Sequence, residues 1–235
     1  MVKIAIDAGH GLNTAGKRTP DGMKEFEFNV KVAEYLKNEL MKYENVNVLF
    51  VHDPTGKRDV PLSERTKKAN DWKADLYLSL HANAFGNGGW NTAGGTETYI
   101  HPITPQRTKD IANIIHGEII KATGLRNRGV KTADFQVLRG TNMSAVLVEH
   151  AFMTNKEEAK LLKDDKFRKD CAKSHATAIA SYYKLKKKPE TKPELVKDDG
   201  KLYKVQIGAF AQKENAEKLK KEMQALGYKP FIKIE

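Results

Sequence analysis

Ala145-Val146-Leu147-Val148 constrains this chain more than any other stretch. Four consecutive apolar residues, with no polar alternation, suit a strand buried on both faces, and such strands belong to sheets covered by helices on each side. The rest of the pattern agrees. Val2, Ile4 and Ile6 alternate with Lys3, Ala5 and Asp7 as in a strand, and strands also read at Val46 to Val51, Asp75 to Leu80, Thr96 to Ile100 and, briefly, Phe135 to Leu138. Between them, helical spacing marks Glu25 to Lys42, Pro61 to Trp72, Pro105 to Thr123, Lys156 to Leu162 and Asp165 to Tyr183; Phe26, Val30, Ala33, Leu36 and Leu40 make the first of these amphipathic. Residues 85–95 and 124–130 read as loops, the second carrying Arg126 and Arg128. The expected fold is α/β, a central, mostly parallel, twisted sheet flanked by helices.

Two strands end at histidines. I-A-I-D-A-G delivers His10 into a Gly9-His10-Gly11 turn, and L-Y-L-S-L delivers His81. In open α/β sheets, ligands bind beyond the carboxyl ends of the strands, so histidines placed there are candidate ligands or catalysts. Glu25 stands in the first turn of the helix after the His10 loop. That position is favourable for any carboxylate near a helix dipole, and it also directs one back toward His10. Together His10, Glu25 and His81 match the His₂Glu set of hydrolytic zinc sites, although no short motif such as H-E-x-x-H joins them. Glu149 closes the apolar strand. It reads either as a general acid/base at the sheet edge or as a glutamate capping the helix that follows.

The remaining histidines carry less. His116 reads as a helix surface or boundary residue, and His175 as a neighbour of a buried face. Cys171, the single cysteine, packs on a helix and excludes a disulfide or a cysteine zinc cluster within this sequence.

From Lys184 the composition changes. K-L-K-K-K-P-E-T-K-P-E-L-V-K-D-D-G is charged, holds two prolines and reads as a linker over residues 184–200. Residues 201–235 read as a small C-terminal βαβ unit: a strand over 201–208, a helix over 213–226, then a strand over 228–234. About 35 residues are too few for an independent core, so this unit is expected to pair or dock. The net charge is +11, and residues 184–235, with 14 lysines against 8 acidic residues, hold over half of it. Such a field favours anionic partners. Nucleic acid is the weakest of them, since aromatic residues are not interleaved with the basic ones. No apolar run approaches a membrane span, and the N-terminus shows no basic and then apolar signal pattern. The expected protein is made in the cytoplasm.

Residues 1–183 resemble the zinc-dependent N-acetylmuramoyl-L-alanine amidases of the type 3 group, found in bacterial cell-wall enzymes, sporulation autolysins and phage endolysins. The resemblance lies in I-D-A-G-H-G, E-F-E-F-N, L-S-E-R-T-K-K-A-N, S-L-H-A-N-A, G-G-T-E-T-Y-I and V-L-V-E-H-A-F-M-T-N, in the family's order across nearly the whole domain. It implies that His10, Glu25 and His81 bind one zinc ion and that Glu149 is catalytic, with Asn83 and Arg65 in support. Glu27 competes with Glu25, and the four-residue spacing to Asn29 favours Glu25. Trp90 is placed beside the groove by its loop alone. Two departures stand out: Ser144 where the family often has proline, and His150 where it often has an apolar residue or cysteine.

The tail resembles the first half of a SPOR-type peptidoglycan-binding repeat, through Y-K-V-Q-I-G-A-F-A-Q-K-E-N-A-E-K-L-K-K-E-M-Q-A-L-G-Y. The family uses two such halves, so the resemblance implies a homodimer that completes the module. The expected function is peptidoglycan hydrolysis at the amide between N-acetylmuramic acid and L-alanine, on the wall, after release by phage or mother-cell lysis. The alternatives are a non-catalytic peptidoglycan-binding protein and a zinc hydrolase of another amide.

Overall fold

The computed structural model describes residues 1–189, 206–225 and 230–233. The chain forms two units, residues 1–189 and 190–235.

Six strands make one mixed sheet in the first unit. They are β1 (Val2–Ala8), β2 (Val46–Phe50), β3 (Leu76–Asn83), β4 (Thr96–Ile100), β5 (Asn127–Thr132) and β6 (Ser144–Phe152), in the order β2-β1-β3-β6-β4-β5. All pairings are parallel except β4 with β6. The strands read as most apolar are the central ones, β1, β3 and β6. Six helices flank them: α1 (Glu25–Leu40), α2 (Leu62–Asp71), α3 (Gln106–Thr123), α4 (Gln136–Arg139), α5 (Lys156–Lys163) and α6 (Asp165–Tyr182).

The two sheet faces differ. Ile4, Ile6, Leu76, Leu78, Leu80, Val146 and Val148 meet the buried stripes of α1, α3 and α6, which supply Phe28, Leu36, Ile111, Ile115 and Ile179. Ala5, Tyr77, Ala145 and Leu147 point the other way, against Val137 and Leu138 of α4 and Ala69 of α2. Leu36 is fully buried, and truncating such a leucine to alanine costs about 2–5 kcal/mol. Successive residues of a strand alternate between these faces, so Asp7, His81 and Glu149 all fall on the second, thinner one.

Helix starts follow local chemistry. In α1 the Glu27 carboxylate accepts from the Lys24 N–H at 2.6 Å, half of a capping box. Asn155 caps α5 and Asp164 caps α6 through their side chains.

Several expectations change. Residues 136–138 belong to the short helix α4, which Phe135 precedes as N-cap, rather than to a strand, and Val137 and Leu138 are its buried pair. Arg128 lies on β5 rather than in a loop. His116 is buried, 5% exposed, between Thr98 Oγ1 (2.9 Å) and Asn127 Oδ1 (2.8 Å). His175 is fully buried, its Nε2 2.7 Å from His150 Nε2. Residues 184–188, read as the start of the linker, are tied down: Glu44 N–H donates to Lys186 O and Lys188 N–H to Lys42 O, both at 2.8 Å.

In the second unit, α7 (Lys213–Ala225) stands where a helix was expected. Of the two expected flanking strands, residues 201–205, 228–229 and 234 lie outside the described residues, and the described residues 206–208 and 230–233 are in neither helix nor strand. No helix among the described residues is long and apolar enough to cross a membrane.

Candidate metal and catalytic centre

His10 follows β1 with its backbone in the left-handed region, φ 67°. That conformation costs a residue with a side chain, and buried contacts hold it. Arg65, on α2, is fully buried, and all five of its N–H groups are used. Nε donates to Val60 O (2.7 Å), Nη1 to Asp7 Oδ1 (2.6 Å) and Ala8 O (2.7 Å), and Nη2 to His10 O (2.9 Å) and Asp59 Oδ1 (2.8 Å). The guanidinium thus clamps three acceptors on the end of β1 and its turn. Asp7 Oδ2 accepts from Tyr77 OH (2.9 Å) and Ser79 Oγ (2.8 Å). Burial alone would raise the Asp7 carboxyl, but the charges of Arg65 and His81, with these hydrogen bonds, hold it below the usual range.

Glu25 opens α1 and is 1% exposed. Its two oxygens are divided between the histidines: Oε2 lies 3.2 Å from His10 Nε2, and Oε1 lies 2.9 Å from His81 Nδ1. Oε1 also takes the Ala82 N–H at 3.2 Å and Asn29 Nδ2 at 3.3 Å. Burial opposes this charge, yet hydrogen bonds from His10 and His81 hold the carboxyl well below its ordinary value. For His81, burial pushes down and the Glu25 partnership pushes up, and the net direction is up. The imidazole rings stand edge to face at 5.0 Å. Glu27, the competing acid, faces outward and serves only the helix cap.

One donor atom each from His10, Glu25 and His81 fits within 4.8 Å. Two imidazole nitrogens and a carboxylate are the donor types of hydrolytic zinc sites, and three protein ligands leave room for a further one. Gly9 permits the approach, because a Cβ there would run into the His81 ring.

Glu149 lies inside β6, opposite His81 in the ladder, rather than at the strand end. Its Oε2 is buried and has no hydrogen-bond partner among the described residues. Burial pushes this carboxyl up to about 7; His81 opposes the rise, while Glu25 and Glu97 add to it. A buried carboxyl oxygen of this kind, beside a histidine–carboxylate cluster, is able to accept and return a proton.

Two flanks differ in charge. A cavity of about 310 Å³ is lined by Gly9, His10, Asp59, Pro61, Leu62 and His81, among others. On the other flank Glu97, which the sequence reading left without a role, gathers Arg128 Nε, Tyr99 OH and Lys131 Nζ (2.9 Å). Burial raises the Glu97 carboxyl, and those donors bring it down to about 2. Asn83 belongs to this flank, with Nδ2 3.4 Å from Glu97 Oε2, not to the histidine cluster. Trp90 is 42% exposed in a loop tied to the end of β6, where Phe85 N–H donates to Thr154 Oγ1 and Asn91 N–H to Thr154 O. Asp7 was also missed, and its signal was an acid in the buried half of a strand, after Ile4, Ala5 and Ile6.

Known proteins share the sequence and the fold of this chain. The family model described as N-acetylmuramoyl-L-alanine amidase matches residues 4–181, and the SPOR domain model matches residues 176–235. The chain is 38% identical over 233 residues to the N-acetylmuramoyl-L-alanine amidase CwlM of Bacillus licheniformis, covering 99% of this chain and 85% of that one. It is 40% identical over 188 residues to an endolysin of Bacillus phage SPP1, covering 79% and 67%. The solved catalytic domain of CwlV, an amidase from Bacillus (Paenibacillus) polymyxa var. colistinus, superposes with a TM-score of 0.72 at 32% identity, covering 79% of this chain and all of that one.

Proposed function

Because the chain belongs to the N-acetylmuramoyl-L-alanine amidase family, and so is a peptidoglycan hydrolase, we propose that His10, Glu25 and His81 hold one zinc ion and that Glu149 moves the protons. The observation that carries this reading is the pairing of three convergent donors with the buried, partnerless Oε2 of Glu149.

When bound, zinc supplies a Lewis acid that polarises the scissile carbonyl and acidifies water. The protein does the rest. Before the ion binds, Glu25, ionised at neutral pH, keeps both imidazoles turned toward one point through its two oxygens. Arg65 fixes the His10 turn from behind. Glu149, with a carboxyl near 7, accepts a proton from the attacking water at Oε2. It then returns that proton to the amide nitrogen of L-alanine, which must be protonated to leave as an amine. The amide bond breaks, the lactyl carbonyl becomes a carboxylic acid, and the peptide departs with a free N-terminus.

A non-catalytic wall binder would have no use for the partnerless carboxyl of Glu149. Digestion of purified walls tests the reading. New amino groups on L-alanine without new reducing sugar ends, abolished by a chelator and restored by zinc, are expected. New reducing ends alone would overturn it.

For the tail, the proposal is a SPOR-type unit that holds the wall and pairs with a second copy of the chain. A monomer in analytical ultracentrifugation at micromolar concentration would exclude the dimer. The proposed place of action is the cell wall, after release by phage or mother-cell lysis.

A further inference from the structure

Four neighbouring strands place one row of charged groups on one face of the sheet. His81 on β3 is the ladder partner of Glu149 on β6, Glu149 is the antiparallel partner of Glu97 on β4, and Tyr99 on β4 is the partner of Lys131 on β5. Directly paired residues point to the same face. The row therefore runs from the zinc ligands through the proton carrier to a cationic pair, Arg128 and Lys131. Strands lie roughly 4.8 Å apart, so the β5 backbone stands roughly 10 Å from that of β6.

Two cations serve one carboxylate here. Glu97 is 4% exposed at its side chain and already takes the Tyr99 hydroxyl, while Arg128 and Lys131 are 28% and 39% exposed. Glu158, whose oxygens take the Gly95 and Phe152 N–H groups, also lies within electrostatic reach of Arg128, so what the pair offers at the surface is its exposed N–H donors. Arg128 is also held in place, with Nη1 on Gly94 O at 3.4 Å and its guanidinium 5.1 Å from the Phe152 ring. Nε and Nη1 are engaged, and Nη2 has no hydrogen-bond partner among the described residues. An oriented guanidinium beside a lysine is a ready receptor for a second carboxylate.

The opposite flank has the reverse character. Its cavity presents the half-exposed carboxylate of Asp59 with Pro61 and Leu62, and the Arg65 charge there is buried and saturated. Of the two halves of the substrate, the muramoyl side is uncharged near the scissile bond, because its lactyl carboxyl is consumed in the amide. The peptide side carries carboxylates.

We propose that Arg128 and Lys131 form a carboxylate subsite for an acidic residue of the stem peptide, placing the peptide over β4 and β5 and the sugar over the His10 and Asp59 flank. The proposal rests on the amidase reading above.

The test uses two N-acetylmuramoyl-L-alanyl peptides that differ only in a free carboxylate or a carboxamide on the residue after L-alanine. The full-length enzyme is expected to favour the carboxylate by roughly tenfold in kcat/KM, the scale of a charge-assisted hydrogen bond. Lys131→Gln is expected to erase most of that ratio through KM, and Lys131→Arg to retain it. Added salt is expected to shrink the preference of the unsubstituted enzyme, since the pair is partly solvated. Equal kcat/KM for the two peptides with the unsubstituted enzyme, a ratio untouched by Lys131→Gln, or a preference indifferent to salt would each overturn the subsite while leaving the amidase. Cleavage of neither peptide by the unsubstituted, zinc-loaded enzyme would overturn both.

Discussion

The Nη1 of Arg65 lies 2.6 Å from Asp7 Oδ1, and both side chains are buried, at 0% and 1% exposure. This pair joins the end of the first strand to a helix nearly sixty residues later. Removing one partner strands the other charge in a place without water, which costs about 3–5 kcal/mol. Arg65→Met and Asp7→Asn are therefore expected to lower the denaturant midpoint sharply. Urea unfolding measures it, and a change within about 0.5 kcal/mol, the size of a neutral surface substitution, would contradict the clamp.

Glu149→Gln keeps the shape of the carboxyl and removes its proton traffic. Wall hydrolysis is expected to fall by about 10²–10⁴-fold, the usual contribution of a positioned acid/base. Zinc content, measured by atomic absorption, should stay at the unsubstituted level. A variant that loses zinc in parallel with activity would place Glu149 among the ligands instead.

Gly9→Ala adds one carbon directly into the His81 ring. His81 must then move, and the three donors no longer converge. The expected result is weaker zinc binding by calorimetry together with lost hydrolysis, with the fold retained by circular dichroism. Unchanged zinc affinity would show that the ring has slack the structure does not display.

Acid should destabilise the fold through buried neutral histidines. Burial pushes His52 and His150 down to about 4 and His175 well below its ordinary value. In the unfolded chain they titrate near 6.5, so between about 6.5 and 4 the unfolded state binds more protons. The stability they permit is present above pH 6.5 and is lost as the pH falls toward 4, by a few kcal/mol in order of magnitude. Urea midpoints at pH 7, 5.5 and 4.5 should fall in that order. A flat series would contradict the neutral burial of these rings.

The central half of this fold was legible because its strands carry their own signal. β1, β3 and β6 are apolar where helices cover them, and each delivers a histidine or glutamate to one sheet edge. The edge strand β5 was not legible: N-R-G-V-K-T is polar because one of its sides is open, and it reads as a loop until β4 pairs with it. Phe135-Gln136-Val137-Leu138 failed for the opposite reason, since four residues fit either period and only packing against the sheet decides for a helix. At the site, the donor positions were readable one by one, whereas their convergence rests on contacts across fifteen to seventy residues. Glu97 shows the limit. Thr96, Glu97, Thr98 and Tyr99 alternate as a strand should, but the cations that define Glu97 come from β5, which the local pattern hides.

The claim on which the rest depends is that His10, Glu25 and His81 hold the zinc. A zinc-edge anomalous difference map from crystals of the zinc-loaded protein tests it directly. The account predicts one strong peak within bonding distance of His10 Nε2, a Glu25 oxygen and His81 Nδ1. A peak elsewhere, or none at full zinc loading, would contradict it.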